Sequence, residues 1–449
     1  MKFKFSAALL TSMSILAACS TPEYILPGER EDLRSPNPQT LGADAADAAI
    51  AARAETEQED GPRPITLPAT VNHTSWTHLG GSPSHQVQHA SLSANPQLIW
   101  SAPIGQGNDR KHRITAEPVV ADGRIFTLDS RAQVVATSTA GASLWARDLT
   151  PGSDRSDDAS GGGLAYANGT LFVSSGFGIV SALDAATGNV KWQQRMDAPG
   201  SGAPAAVGDL VYVVSRDNTA WAMDAATGKV KWRLTGTPSS DGVVGVSSPA
   251  VTERVVLLPF GSGEIVAALK KGGTRTWSSL IAGERVGRAY TQVTDITGEP
   301  VVKNGVIYTG SSAGRTVALN LSGERLWTAK EGATSPVWVT GGSVFMVSDE
   351  SEIVRLDATT GERIWGTRLP YFTKRQARKI KRIHANLGPV LAGGKLWVAS
   401  SDGFMRGYNP VDGSLITQTA LPGGAATRPV VVNGVAYVVA RDGKLLALR

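Results

Sequence analysis

The chain has 449 residues, a formal net charge of +5, 50 glycines and one cysteine. A single cysteine excludes an internal disulfide framework, and so dilute a positive balance is no footprint for nucleic-acid binding. G-x-S-x-G, H-E-x-x-H, Walker A, C-x-x-C-H and a strand-borne G-x-G-x-x-G are all missing, so the common signatures of hydrolase, zinc, nucleotide and haem chemistry are excluded too; GQG at 105–107 and GFG at 176–178 read as turns.

Residues 1–19, MKFKFSAALLTSMSILAAC, place two lysines before an apolar run and then small residues. This reads as a secretory signal peptide over 1–18, too short to persist as a spanning helix. Leu16-Ala17-Ala18-Cys19 resembles the lipobox of bacterial lipoproteins, which implies cleavage before Cys19 and acylation of that residue. Several acyl chains anchor firmly where one binds only marginally. The next residue is Ser20 rather than the Asp that implies retention in the inner membrane, so the expected address is the periplasmic face of the outer membrane.

Residues 19–70 read as an acidic tether. Between 20 and 70 there are four basic and ten acidic residues with almost no aromatic, a composition that buries too little apolar area to fold alone. As a coil of about 50 residues its reach is on the order of 40 Å. Residues 71–94 hold four of the six histidines, His73, His78, His85 and His89, in a Gly- and Ser-rich stretch. Their spacing is not that of a closed metal site, and the segment is expected to be a strap packed over the edge of the following domain, with no metal.

From residue 95 onward one unit recurs, most plainly as LDAATGNVKW at 183–192, MDAATGKVKW at 223–232 and LDATTGERIW at 356–365. The tryptophans Trp100, Trp145, Trp192, Trp232, Trp277, Trp327 and Trp365 anchor successive copies, and Thr417 takes the equivalent place in the last. A second phrase precedes each anchor after the first, as in AEPVVADGRIFTL and TRPVVVNGVAYVVA. Asn-Gly or Asp-Gly between two apolar runs is a hairpin signal, and two further turns complete four antiparallel strands per unit. Repeats of this length and content are blades of a β-propeller. Residues 427–449 supply three strands and residues 95–103 a lone fourth, so joining them makes an eighth blade and closes the ring. The expected fold is therefore all-β, an eight-bladed propeller of four-stranded antiparallel blades over 95–449, with the tryptophans as core between blades.

In such a meander the connections from one blade to the next share one face. Here they are the long segments 103–116, 149–161, 233–248, 280–299 and 370–388, and the opposite face is expected to carry only tight turns such as DAATG and SDG. Function favours long loops on a rigid scaffold. The connection at 370–388 also carries Lys374, Arg375, Arg378, Lys379, Lys381 and Arg382 with no acid among them, open to reading as a solvated loop, a dock for an acidic partner or a contact for lipid headgroups.

The phrase PVV-x-NG-x-VY followed by ALDAATGK-x-x-W resembles the repeat of pyrroloquinoline-quinone-type eight-bladed propellers over residues 95–449. Two groups share it, the quinoprotein dehydrogenases and the BamB family of outer-membrane protein assembly factors; lipobox, tether and a bare ring are similar to the latter. That resemblance implies a non-catalytic scaffold without cofactor, docked on the periplasmic domains of the barrel-inserting subunit BamA and its complex, with unfolded outer-membrane protein precursors as further partners. Family loops implicated in docking include an L-R-G-x-S-x-P phrase, matched here by Val243, Gly245, Ser247 and Pro249 with Val244 in place of the Arg. Of a D-x-D phrase, Asp295 remains and Thr297 replaces the second acid. Asp295 reads either as a docking carboxylate or as a turn cap. Arg285, Arg288, Lys374, Arg375 and Arg378 are expected to supply the missing charge. The rivals are a quinone-dependent periplasmic dehydrogenase, which the absence of a vicinal cysteine pair disfavours, and a polysaccharide-binding propeller.

Overall fold

The computed structural model describes residues 61–449 apart from 240–241, 244, 282, 284, 286–292 and 375–381. The signal peptide, Cys19, most of the tether, Arg288, Arg375 and Arg378 lie outside the described residues. Within them stand eight four-stranded antiparallel sheets, each taken in chain order from inner to outer strand. They are numbered here blade 1 (119–148), 2 (162–195), 3 (205–235), 4 (250–280), 5 (298–329), 6 (338–368), 7 (386–420) and 8, in which Leu98–Pro103 pairs with Lys444–Leu448 outside two further strands. Four-stranded blades and closure by the N-terminal strand are as the repeats predict. Gln97 and Arg449 exchange backbone hydrogen bonds of 2.7 and 2.9 Å at the seam.

Burial follows strand position. The three inner strands of a blade are almost wholly buried, because blades stack on both of their faces, so they read as continuous apolar runs such as Leu210–Val214 and Val435–Val439. The outer strand alternates, as in Val230–Thr235, which marks one wet face. A register shift interrupts the pairing of the outer strand in blade 3 next to Trp232, and the same shift sits beside Trp145, Trp192, Trp277, Trp327 and Trp365. A bulge there adds twist and re-aims the side chain.

Each re-aimed indole reaches the following blade. Trp192 Nε1 donates to Ala225 O at 2.9 Å, Trp232 Nε1 to Lys270 O at 2.9 Å and Trp327 Nε1 to Ala358 O at 2.9 Å. In every case the acceptor lies in the DAATG-type turn of the next blade, whose glycine lies flat beneath the ring. A Cβ on Gly228 would come within 2.6 Å of Trp192, and the backbone there has φ +73°. Gly188, Gly273, Gly323, Gly361 and Gly413 stand in the same relation to the preceding tryptophans, and Gly141 to Trp100. Behind six of the seven rings sits an aromatic of the same blade, such as Tyr212 with Trp232 at 5.9 Å between centroids. The tryptophans are thus inter-blade core with a hydrogen bond attached.

The exception explains itself. Blade 7 faces blade 8, whose outer two strands come from opposite ends of the repeat region, so no turn joins them and nothing exists to receive an indole. Thr417 stands there instead, and its hydroxyl donates to Asn95 Oδ1 at 2.9 Å.

Two expectations need correcting. The SDG-type turns between second and third strands lie on the same face as the long connections: Asn108 N donates to Arg441 O (2.7 Å) and Ser401 N to Ala385 O (2.8 Å). Only the turns after the first and third strands, Asn-Gly and DAATG types, occupy the opposite face, called the turn face below. The second correction concerns the strap, which does not follow the edge. It enters at the rim, where Gly61 N donates to Ile364 O and Arg63 N to Val411 O, and then crosses to the axis. There it bonds to the innermost strand or hairpin of every blade: Trp76 to Val120, Thr77 to Tyr166, His78 to Ala206, Pro83 to Val251, Ser84 to Val302, Gln86 to Val339, Ala90 to Leu391 and His73 to Asn433. It is a plug, seated where eight inner strands present backbone groups that have no sheet partner left.

Gly228→Ala is expected to lower stability by about 2–4 kcal/mol, since strain at positive φ adds to displacement of the indole. Gly208→Ala, at φ +60° with nothing near the added methyl, is expected to cost about 1 kcal/mol. Thermal unfolding of the pair separates the clasp from the backbone effect.

Candidate functional site

The connection between blades 3 and 4 carries the 243–249 phrase. Its middle turns inward. Gly245, at φ +88°, lies so close to Thr115 of the connection into blade 1 that a Cβ would approach to 2.5 Å. Gly245 N donates to Ser201 O at 3.2 Å, and the Ser248 hydroxyl accepts from Ala203 N at 3.0 Å. Ser247 is buried at φ +72°, and Pro249 is buried as it starts the inner strand. Among the described residues of the phrase, Val243 presents its side chain to solvent, 37% exposed.

The neighbouring connection into blade 5 is pinned likewise. Asp295 is 2% exposed, close to Gly242, and Thr294 Oγ1 donates to Gly261 O at 2.9 Å. Thr297 Oγ1 donates to Ala333 O, a bond that an ionised acid at this position has no proton to make. The replacement therefore gives this loop an internal tie to the next connection. Arg285 is also turned inward: Nε and Nη2 grip the Asp349 carboxylate at 2.9 and 3.0 Å, Nη1 lies 3.3 Å from Glu350, and Nη2 donates to Lys330 O. Asp349 is 1% exposed at its side chain. Arg285 thus fastens the connection to blade 6 and offers little charge outward, whereas Lys374 is exposed. Val243, Gly245, Ser247, Pro249 and Asp295 share one sector of the face; Lys374 lies across it, on the connection into blade 7.

On the axis, the plug covers a group of buried charges. Arg428 pairs through Nε with Glu117, and its Nη1 donates to Pro336 O at 3.2 Å. Glu299 is fully enclosed and bonded to Ser248; burial lifts its carboxyl to about 8, with Arg428 opposing and Glu117 adding to the rise. Burial holds His78 near 4 and His85 near 3, so both imidazoles are neutral. His73 bonds to Gln88 O and His89 to Pro68 O; the four rings serve separate backbone partners, and no group of three metal-ligating side chains converges among the described residues. The space left among His78, Glu117 and Ser248 is about 10 Å³, enough for one water. A signal for these charges was present in the repeats: Glu117, Glu299 and Arg428 all precede the proline of the PVV phrase, where other copies have Ala203, Ser248, Ser335 or Gly388.

Residues 130–367 and 373–449 match the family described as outer membrane protein assembly factor BamB. The chain belongs to the BamB family. It is 30% identical over 374 residues to the BamB of Salmonella typhimurium, covering 82% of this chain and 91% of that one. To the Escherichia coli BamB it is 29% identical, over 79% and 88%. The crystal structure of BamB from Moraxella catarrhalis superposes with a TM-score of 0.66 at 20% identity, covering 79% of this chain and 99% of that one. Quinohemoprotein alcohol dehydrogenase from Comamonas testosteroni reaches 0.62 at 16%, covering 91% and 84%. Likeness at such identities shows the shared propeller alone.

The buried groups set a pH dependence with two arms. Glu299 has a folded value above its unfolded one, so its contribution is fully present below about 4.5 and is lost as pH rises through 8. His78 and His85 have folded values below theirs, so their contribution is present above about 6.5 and is lost as pH falls toward 4 and 3. The melting temperature is expected to decline between pH 6 and 9, and Glu299→Gln to flatten that decline while leaving the acid arm intact.

Proposed function

We propose that this protein is a non-catalytic scaffold of outer-membrane β-barrel assembly, acylated at Cys19, held on the periplasmic side of the outer membrane and docked through its long-loop face on the periplasmic domains of a BamA-like barrel-inserting subunit. Membership of the BamB family supports the setting. The observation that carries the docking surface is the construction of the 243–249 and 293–297 loops: Gly245 packed against Thr115, with buried Ser247, Pro249 and Asp295, holds the backbone rigid and leaves Val243 projecting. A pre-organised loop loses little freedom on binding, which favours affinity. The ionisable groups of the axis lie under the plug rather than in an open cleft, which suits a scaffold better than an acid–base catalyst. Tethering to the membrane raises the local concentration of whatever the ring holds, including unfolded barrel precursors.

Mild solubilisation of outer membranes, purification of the lipoprotein and mass spectrometry of what accompanies it tests the reading. The barrel-inserting subunit is expected to co-purify, and Val243→Glu to lower its recovery about tenfold without moving the melting temperature. An intact barrel-inserting machine free of this protein defeats the proposal. Cys19→Ala is expected to shift the protein from the membrane to the soluble periplasmic fraction and to abolish incorporation of labelled palmitate.

A further inference from the structure

The long-loop face also opens into a cleft of about 1380 Å³ between residues 108–114, residues 373–374 and 382–385, and the turns at Ser401 and Arg441. Five cations border it: Arg110, Arg113, Lys374, Arg382 and Arg441, all exposed. Asp109 is the one carboxylate among the described residues of the wall, and it is already engaged by His112 at 2.8 Å and Arg131 at 3.2 Å. The floor is apolar, with Ile114 buried and Leu387, Ala425 and Ala426 beside it. On the lip, Phe372 and Ile383 pair across a bridge and remain 47% and 57% exposed. A folded chain gathers like charges around an apolar trough only against their mutual repulsion, and among the described residues of the wall no free carboxylate relieves them.

We infer that this cleft is a second docking site, taking an extended polypeptide segment in which carboxylates alternate with apolar side chains. Apolar side chains of alternate residues reach the floor while carboxylates on the other side of the strand meet the guanidinium groups of the walls. Concavity selects a polypeptide over a membrane, since a planar lipid surface contacts the rim and leaves the floor empty. The site lies away from Val243 and stands independently of the docking reading above.

The test uses the detergent-solubilised lipoprotein and a fluorescein-labelled twelve-residue peptide of alternating Glu and Leu, read by fluorescence anisotropy, with a Lys/Leu peptide and a Glu/Ser peptide as controls. The Glu/Leu peptide is expected to bind at least about tenfold more tightly than either control, and to weaken as salt screens the charges. Arg113→Glu with Arg382→Glu and Arg441→Glu is expected to abolish that preference, and Lys374→Ala with Arg382→Ala to weaken binding about fivefold in a protein with unchanged melting temperature. Val243→Glu is expected to leave peptide affinity unchanged, so loss of subunit co-purification and loss of peptide binding report separate sites. Equal binding of the Glu/Leu peptide by wild type and both variants overturns the inference, as does no binding by wild type. Cation-dependent sedimentation with phosphatidylglycerol vesicles that the peptide does not compete away also overturns it, in favour of a lipid contact.

Discussion

Seven indoles, each lying over a glycine of the next blade, decide the architecture. A blade alone is a small, strongly twisted sheet with two apolar faces, and cannot exist except between neighbours. The tryptophan clasp fixes how those neighbours meet. Its ring buries a large apolar area, in six of the seven its Nε1 fixes the position through one directional bond, and the glycine's left-handed backbone makes the flat seat that any side chain would fill. Losing a buried ring of this size costs on the order of 3–5 kcal/mol, a large part of the margin by which a folded protein is stable.

The ring legible in the sequence came from that same repetition. DAATG and the tryptophan recur because the clasp needs both, and Thr417 departs because the seam between residues 97 and 449 has no turn to clasp. What repetition could not show lies where copies differ or where a segment belongs to no copy. Residues 61–94 have no repeat signature, and their histidines gave no reason to expect the axis rather than the edge. Their course depends on unsatisfied backbone groups of eight inner strands, a property of the assembled ring. The face of the SDG turns is set by the up-and-down course of the chain through each blade, which loop length does not reveal.

The docking residues show a similar division. A family phrase located the 243–249 loop, yet the residues matched by identity turn inward, Ser247 and Pro249 buried and Gly245 packed on Thr115, while the substituted Val243 is exposed. Conformation is thus preserved by Gly245, Ser247 and Pro249 while contact chemistry is left to their neighbours. Arg285 looked like a spare cation in one dimension. In three it is the counter-ion of Asp349, a carboxylate so enclosed that it needs its partner. Charge in a loop says little about the surface until its internal partners are known.

The plug imposes an order of events. Residues 71–94 bond to residues 120 and 433 alike, so their seat exists only after the last strands of blade 8 have joined the first strand of the ring. A chain exported from its N-terminus delivers this segment first and must leave it idle until some 350 residues have followed. Loop closure over such separations is slow, and the waiting segment is polar and rich in Gly and Ser, a composition that stays soluble meanwhile. When it docks, it ties the inner strands of all eight blades in one step, so that completion of folding coincides with sealing of the axis, as a keystone both fills an arch and locks it.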